Sequence, residues 1–431
     1  MGIWAATLMC SLLIVGAASA TETETETLDQ AMAAAMSSNP ALASARERAR
    51  AEGEAVPLAL AEWLPQINVN ASANQTRRSE RTFALTVREK PEYWIASLNT
   101  SWLLFASGRR TAAMHQARAR VAAAAADYQQ RTQTLLLDVA RAYSGVLLAR
   151  SVRDAQDRNF ANLQEQYRYV DSNVRHGFLT QTDLAQARAR VEQARASLSL
   201  ADAQLISASE TYERLVGHPP PSLETPHSLT GLPTDGASAR AQAIARNPSV
   251  LSAAAEVEVA QGNADIAAAE GRLRVSVDIT NSYFEPIDTP THRRQSEDTA
   301  ALRFSLPLFN GGQVAARTRE ENHLRRSARF SLAEAQNEIN EQTGAAWANV
   351  IASRAAVEAG RARLAAAELA QHGMRLEQRA GQRSTIDVLN QEQELLSARV
   401  DLARAVRDET VSEFELASAL GMLTHPPADA N

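Results

Sequence analysis

The sequence predicts a mainly α-helical chain with a small β part, arranged as two tandem repeats of strand pairs and very long coiled-coil helical hairpins. Three observations predict it. A glycine-to-aspartate hinge occurs twice, "GFLTQTD" from 177 and "GQRSTID" from 381, 204 residues apart. Proline is absent from Glu92 to His218 and again from Leu308 to His425. Short segments that alternate apolar and polar residues stand before each long helical pattern.

The first twenty of 431 residues, "MGIWAATLMCSLLIVGAASA", read as a secretory signal, with an apolar core from Ile3 to Gly16 and a small-residue cleavage site at Ala18-Ser19-Ala20. Cys10 is the one cysteine and lies inside that signal, preceded by Met9 where a lipobox needs a small residue. The mature chain is therefore expected to carry neither disulfide nor lipid anchor. Beyond residue 20 no run of about 18 apolar residues occurs, so no membrane-spanning helix is expected. The net charge of −6 argues against nucleic acid as a main partner, because phosphate binding needs a concentrated basic face. Arginine is abundant, with Lys90 the single lysine, but it alternates with acids and alanine as on solvated helix faces.

The duplication sets the order of elements. At the same offset Phe105 matches Phe309, Gly108 matches Gly312, Arg150 matches Arg354, Tyr143 faces Trp347, and Gly217 matches Gly421. Asn39-Pro40 recurs as Asn247-Pro248, an N-cap followed by proline at the first helical position. The first repeat is assigned to 21–218, with strands about 63–76 and 92–105 and a helical hairpin about 109–217. A Pro-rich linker occupies 219–236. The second repeat is assigned to 237–423, with strands about 272–284 and 298–309 and a hairpin about 313–421, and 424–431 form a tail.

Each hairpin begins with a stretch too long for a compact domain. From Arg109 to Arg175, at ~1.5 Å per residue, a helix reaches roughly 100 Å. Gly177 and Gly381 then permit sharp reversals. Returning from the first, Val191, Ala194, Leu198, Ala201, Leu205, Ala208, Tyr212 and Leu215 follow a heptad seam. Leu395, Ala398, Leu402 and Ala405 keep it in the second copy, and Glu409 and Ser412 break it.

Ile67, Val69, Ala71 and Ala73 alternate with Asn68, Asn70, Ser72 and Asn74, and the other three strands alternate likewise. Their lengths suit membrane-crossing strands, and Trp94 and Trp102 are spaced to mark two lipid interfaces. Soluble sandwich strands share the pattern. Four strands cannot seal a barrel in lipid, so a transmembrane reading demands an oligomer.

"GQRSTIDVLNQEQELLSARVDL", "GFLTQTDLAQARA", the paired Asn-Pro starts and "LPLFNGG" together resemble the TolC family of outer membrane channels, closest to the branch serving type I secretion. The resemblance covers essentially the whole mature chain. It implies a homotrimer sharing one 12-strand outer-membrane β-barrel, continued by an α-helical barrel through the periplasm of a Gram-negative bacterium. It implies a passive exit duct that works with a periplasmic adaptor and an inner-membrane ABC or proton-driven transporter, without a cofactor.

The resemblance also places functional residues. Gly177, Phe178, Leu179, Thr180, Gly381, Gln382, Ser384 and Thr385 fall at the hairpin tips that meet partners. Arg383 falls where an arginine ties the inner hairpin to the outer one, with Thr182 and Asp183 at its partner positions. Asp387 falls on the constriction, and Asn390 stands where a second aspartate is common. The spacing of Arg383, Asp387 and Asn390 independently suits one helical stripe. In a trimer, mutual repulsion would raise the pKa of three converging Asp387 carboxylates. The competing expectation is that Asp183 and Asp387 cap helices after the glycine turns.

Enzyme chemistry finds no support. The eight histidines lack metal-ligand spacing, and the nucleophile-elbow, Walker and dinucleotide glycine motifs are absent. Small-molecule efflux is the alternative cargo class. A soluble periplasmic coiled-coil scaffold or adaptor is the alternative of another kind.

Overall fold

The structure is a computed structural model that describes residues 25–83, 85–89, 92–287 and 294–423. The expected signal and the tail at 424–431 lie outside the described residues. In chain order the elements are β1 (Thr25–Glu26), α1 (Leu28–Ser38), α2 (Pro40–Gly53), α3 (Ala55–Ala61), β2 (Gln66–Gln75), β3 (Arg78–Thr82), β4 (Leu85–Glu89), β5 (Glu92–Phe105), α4 (Arg109–Arg175) and α5 (Gln181–Val216). The second half continues with β6 (Ser222–Leu223), α6 (Gly236–Arg246), α7 (Pro248–Ala269), β7 (Arg274–Pro286), β8 (Gln295–Ser305), α8 (Gln313–Arg379) and α9 (Thr385–Ala419).

Both long helices, α4 and α8, contain 67 residues and follow a glycine in the left-handed region, Gly108 or Gly312. Helices α2 and α7 start at Asn39 and Asn247, whose side chains accept backbone N–H groups while proline fills the first helical position. Each asparagine also donates backwards, from Asn39 Nδ2 to Leu215 O at 3.4 Å and from Asn247 Nδ2 to Ala419 O at 2.9 Å. The caps therefore weld the end of α5 to the start of α2, and the end of α9 to the start of α7. Two composite columns result, each running from the sheet to a tip beside one uninterrupted helix.

Helix α4 packs against α2, α3 and α5, and also against α7 and α9; α8 packs against α6, α7 and α9. Toward the tips the layer runs α5–α4–α9–α8. The heptad seam of α5 is its buried edge, with Val191, Ala194, Ala201, Tyr212 and Leu215 all buried. In α9 the seam gives way to a wider buried surface of Val411, Ser412, Glu413, Phe414, Leu416 and Ala417, because α9 has helices on both sides. The largest core cluster, around Met32, Leu136, Val139, Tyr143 and Tyr212, lies where α1 and the linker cross the helices.

Arginines from both copies hold that linker. Arg150 donates to the carbonyls of Pro220 and Pro221 at 3.0 and 2.7 Å. Arg354 donates to Glu413 Oε1 at 2.7 Å, and Glu413 Oε2 accepts the Leu229 N–H at 2.9 Å.

The main sheet is antiparallel with order β2-β5-β7-β8. Its register assigns Ile67, Val69, Leu98, Thr100, Val277, Ile279, Ala300 and Leu302 to one face. Asn68, Asn70, Ser97, Asn99, Thr280, Ser282 and Thr299 take the other. Strands β2 and β8 have no further strand beside them among the described residues.

Several boundaries differ from the sequence reading. β2 begins at Gln66 rather than 63, because Trp63 and Leu64 close α3 through turn bonds to Leu60 and Ala61. β8 spans 295–305 rather than 298–309; Pro307, which lacks an N–H, stands in the segment that leaves the ladder. The short pairs β3–β4 and β1–β6 were not anticipated.

Candidate functional site

The two hairpin tips are built alike. α4 ends at Arg175, the chain reverses through Gly177 (φ 81°), and Thr180 caps α5. α8 ends at Arg379, the chain reverses through Gly381 (φ 74°), and Ser384 caps α9. The positive φ explains glycine at both reversals. Phe178 N–H and Gln382 N–H each return to a carbonyl five residues back, Asn173 O and Glu377 O, both at 2.8 Å. Phe178 remains 78% exposed, an apolar ring presented at the extreme end of the hairpin. Leu179 is half-buried, whereas Gln382 is exposed and Thr385 buried.

Asp183 and Asp387 complete capping boxes. Asp183 Oδ2 accepts from Thr180 N and Oγ1 at 3.0 and 2.7 Å, and Asp387 Oδ2 accepts from Ser384 N and Oγ at 3.1 and 2.7 Å. Both carboxylates occupy the third helical position, with Thr180 and Ser384 as the caps themselves. The Thr180 hydroxyl and N–H hold Asp183 below the usual carboxylate range. The Ser384 hydroxyl and N–H do the same for Asp387, aided by the Arg383 charge. Within one chain this local effect opposes the rise that a ring of three carboxylates would cause.

Arg383 does not reach Thr182 or Asp183 inside the chain. Its Nε donates to Glu377 Oε2 at 2.7 Å, across the Gly381 reversal of its own hairpin. Nor does it share a helical stripe with Asp387 and Asn390, because Ser384 takes the extended N-cap conformation and α9 starts only at Thr385. Thr182 is exposed. Asn390 does contact the other hairpin, its Oδ1 accepting from Arg190 Nη2 at 3.5 Å.

At the far end, Trp94 and Trp102 share the apolar face of the sheet. Trp94 packs against Tyr283 with ring centroids 5.3 Å apart, and Trp102 donates to Trp63 O at 2.9 Å. Arg110 stacks 4.2 Å above Trp63, an aromatic position that the sequence reading left out. Among the described residues no cluster of metal-ligating side chains occurs.

A sheet with one apolar and one polar face, standing on helices about 100 Å long with matched tips, is the architecture to compare with known proteins. The profile of the family described as outer membrane efflux protein matches residues 31–218 and 239–422. This chain belongs to the outer membrane efflux protein family. The outer membrane efflux protein BepC of Brucella suis is 31% identical over 295 residues, covering 68% of this chain and 64% of that protein. The alkaline protease secretion protein AprF of Pseudomonas aeruginosa is 26% identical over 303 residues, covering 69% and 63%. The chain thus spans a little under two thirds of the length of these two relatives. In fold, this efflux-family chain matches the Campylobacter jejuni CmeC outer membrane channel with a TM-score of 0.83 at 15% identity, covering 94% of this chain and 88% of that one.

Buried carboxylates on α9 escaped the sequence reading. Glu392 and Glu413 are 3% and 2% exposed, and both are fully partnered. The one signal for Glu413 was Arg354, the duplicate of Arg150. For Glu392 it was a three-residue step back from the seam residue Leu395.

Proposed function

We propose that this protein is the outer membrane exit duct of a tripartite export system. The observation that carries the reading is the four-stranded sheet, apolar on one face and polar on the other, with both edge strands unpaired among the described residues of the single chain. Open edges leave backbone groups unsatisfied in lipid, so β8 of one copy pairs with β2 of the next. Three copies close a 12-strand barrel, apolar outward and polar inward. The helices continue it as a tunnel into the periplasm, where an adaptor engages the tips and an inner-membrane transporter supplies the energy.

The duct performs no chemistry. Its selectivity lies at the tips, where three Asp387 carboxylates converge on the axis and attract cations. For cargo, type I protein secretion is supported by the "RSTIDVLNQEQELLSARV" run and by the relative named for alkaline protease secretion. Small-molecule efflux is supported by the more similar relative named as an efflux protein. Copurification of the adaptor and transporter distinguishes the two.

Purified protein in planar bilayers is expected to give a small, cation-preferring conductance blocked by multivalent cations. A well-folded trimer without conductance would refute the duct. Recovery of the protein in the soluble periplasmic fraction would favour the scaffold reading instead.

A further inference from the structure

The main sheet has two open edges among the described residues, β2 and β8, and its own ladder restricts how such edges can meet. One row of paired residues crosses all four strands, from Val69 through Leu98 and Asn281 to Asp298. In a threefold ring the row continues from Asp298 onto β2 of the next copy. The β2 residue that it meets sets how far the row climbs along the strands in each copy. Both faces must stay continuous across the seam, so Asp298 meets an odd-numbered residue of β2, which spans Gln66–Gln75.

Strand tilt narrows the choice. A climb from Val69 to Gln75 is about six residues per copy and roughly 18 around 12 strands, which at ~3.3 Å per residue and ~4.8 Å per strand tilts them by roughly 45°. A climb to Ala73 gives roughly 35°, and one to Ala71 gives roughly 20°, below the range of barrels. A climb in the opposite direction runs past Gln66 and off the strand. Gln75 and Ala73 are left, and Asp298 decides between them. It shares the apolar face with Ala300 and Leu302, and its Oδ1 accepts from Asn281 Nδ2 at 2.7 Å. Among the described residues its Oδ2 has no partner. Opposite Ala73 that oxygen lies against a methyl group on the lipid side, with Gln75 displaced to the diagonal, a costly setting for a carboxylate. Opposite Gln75 it meets an amide with a hydrogen to spare, because Gln75 Nε2 gives only one to Glu92 Oε1.

We propose that β8 of one copy joins β2 of the next in the register that sets Asp298 opposite Gln75, with these two side chains hydrogen-bonded across the seam. The inference rests on the export-duct reading and adds to it which residues meet. On the lipid side Ala300 then faces Ala73, Leu302 faces Ala71 and Phe304 faces Val69. On the inner side Thr299 faces Asn74, Arg303 faces Asn70 and Ser305 faces Asn68. Glu92, Gln75, Asp298 and Asn281 form one polar line from β5 of one copy to β7 of its neighbour. Such a line specifies the register. A slip by two residues keeps every apolar side chain on its own face, so the alternation alone does not forbid it. The slip is opposed by the carboxylate, which loses its amide partner.

The test uses the assembled protein in detergent, where oxidation joins two cysteines only if their Cα atoms approach within about 7 Å. Cys10 is the one native cysteine and lies in the expected signal. A73C/A300C is expected to give covalent dimers and trimers at several-fold higher yield than A71C/A300C, whose positions are diagonal in the proposed register. D298A and Q75A are each expected to lower the temperature at which the trimer dissociates, and the double variant no further than the worse single one. The proposal is overturned if A71C/A300C links better, if neither pair links, if D298A dissociates at the wild-type temperature, or if the two losses add independently. If D298A fails to assemble, the cysteine pairs decide, since they leave Asp298 and Gln75 in place. If sedimentation finds only monomer, the export reading fails and the seam with it; a trimer linked in another register refutes the proposal alone.

Discussion

The two hairpins share their reversals and differ in what lies along the returning helix. Thr180–Asp183 and Ser384–Asp387 are chemically the same cap at the same offset. The buried part of α5 contains no carboxylate, whereas that of α9 contains Glu392 and Glu413. Position explains the contrast. α9 is enclosed by α4 and α8, while α5 has α4 as its main neighbour within the chain. An enclosed helix must pair any charge it carries, and both carboxylates take their arginines from α8, while Asn162 of the first copy and Leu229 of the linker supply neutral donors. The duplicated arginines diverged in the same sense: Arg150 binds linker carbonyls directly, and Arg354 reaches the linker through Glu413.

The largest expected effect on stability tests that divergence. Glu413→Ala removes the bonds of a buried carboxylate to the half-buried Leu229 N–H and the half-exposed Arg354 guanidinium and should cost about 2–3 kcal/mol, the upper range for hydrogen bonds to a charged group. Ser209→Ala, at the equivalent position of α5, should stay within ~0.5 kcal/mol, as surface changes do. Chemical unfolding of the detergent-solubilised protein measures both, and equal losses would break the comparison.

Next in size is the aromatic pair. Tyr143 is completely buried and its hydroxyl lies 2.8 Å from Glu26 O and 2.7 Å from Glu224 O. Tyr143→Phe should cost about 1–3 kcal/mol by orphaning an acceptor. Trp347→Phe, against the edge of Gly236, should cost less.

The welds should behave symmetrically. Asn39→Ala and Asn247→Ala should each cost ~1 kcal/mol, the usual value of an N-cap. A large difference between them would show that only one joint matters.

At the tips, Arg383→Ala removes the Glu377 pair and the cation beside Asp387, and should raise the single-channel cation conductance of the proposed duct with little change in unfolding temperature, since the pair is about half exposed. Unchanged conductance would remove Arg383 from the gate.

The smallest effect is a pH response. Asp183 and Asp387 have depressed pKa values in the folded chain. Their stabilisation is therefore present above the unfolded value of about 3.9 and lost as pH falls through the lower folded values. Amide protection factors at the first turns of α5 and α9, with the intrinsic pH dependence of exchange divided out, should fall below about pH 4, and by similar amounts.

What the sequence disclosed depended on periodicity and local bonding. The 67-residue helices, the glycine reversals and the Asn-Pro joints are local, so composition and spacing sufficed. The end of β8 was misjudged because Leu306 and Leu308 continue the alternation after the ladder has stopped. Arg383 was placed on α9 because spacing alone does not reveal that Ser384 would take the cap. Glu392 was missed because its partners lie 17, 21 and 230 residues away. No local pattern announces a contact of that kind.

The interleaving of the copies has a consequence for biogenesis. Helix α4 finds α7 and α9 only after more than a hundred further residues have been made. During synthesis its apolar stripe has half its neighbours, and the β5 edge that will receive β7 stands open. Such long-range closure is slow and exposes sticky surface meanwhile. A chain of this plan therefore needs shelter between translocation and completion, and neither half, released alone, would be a soluble product.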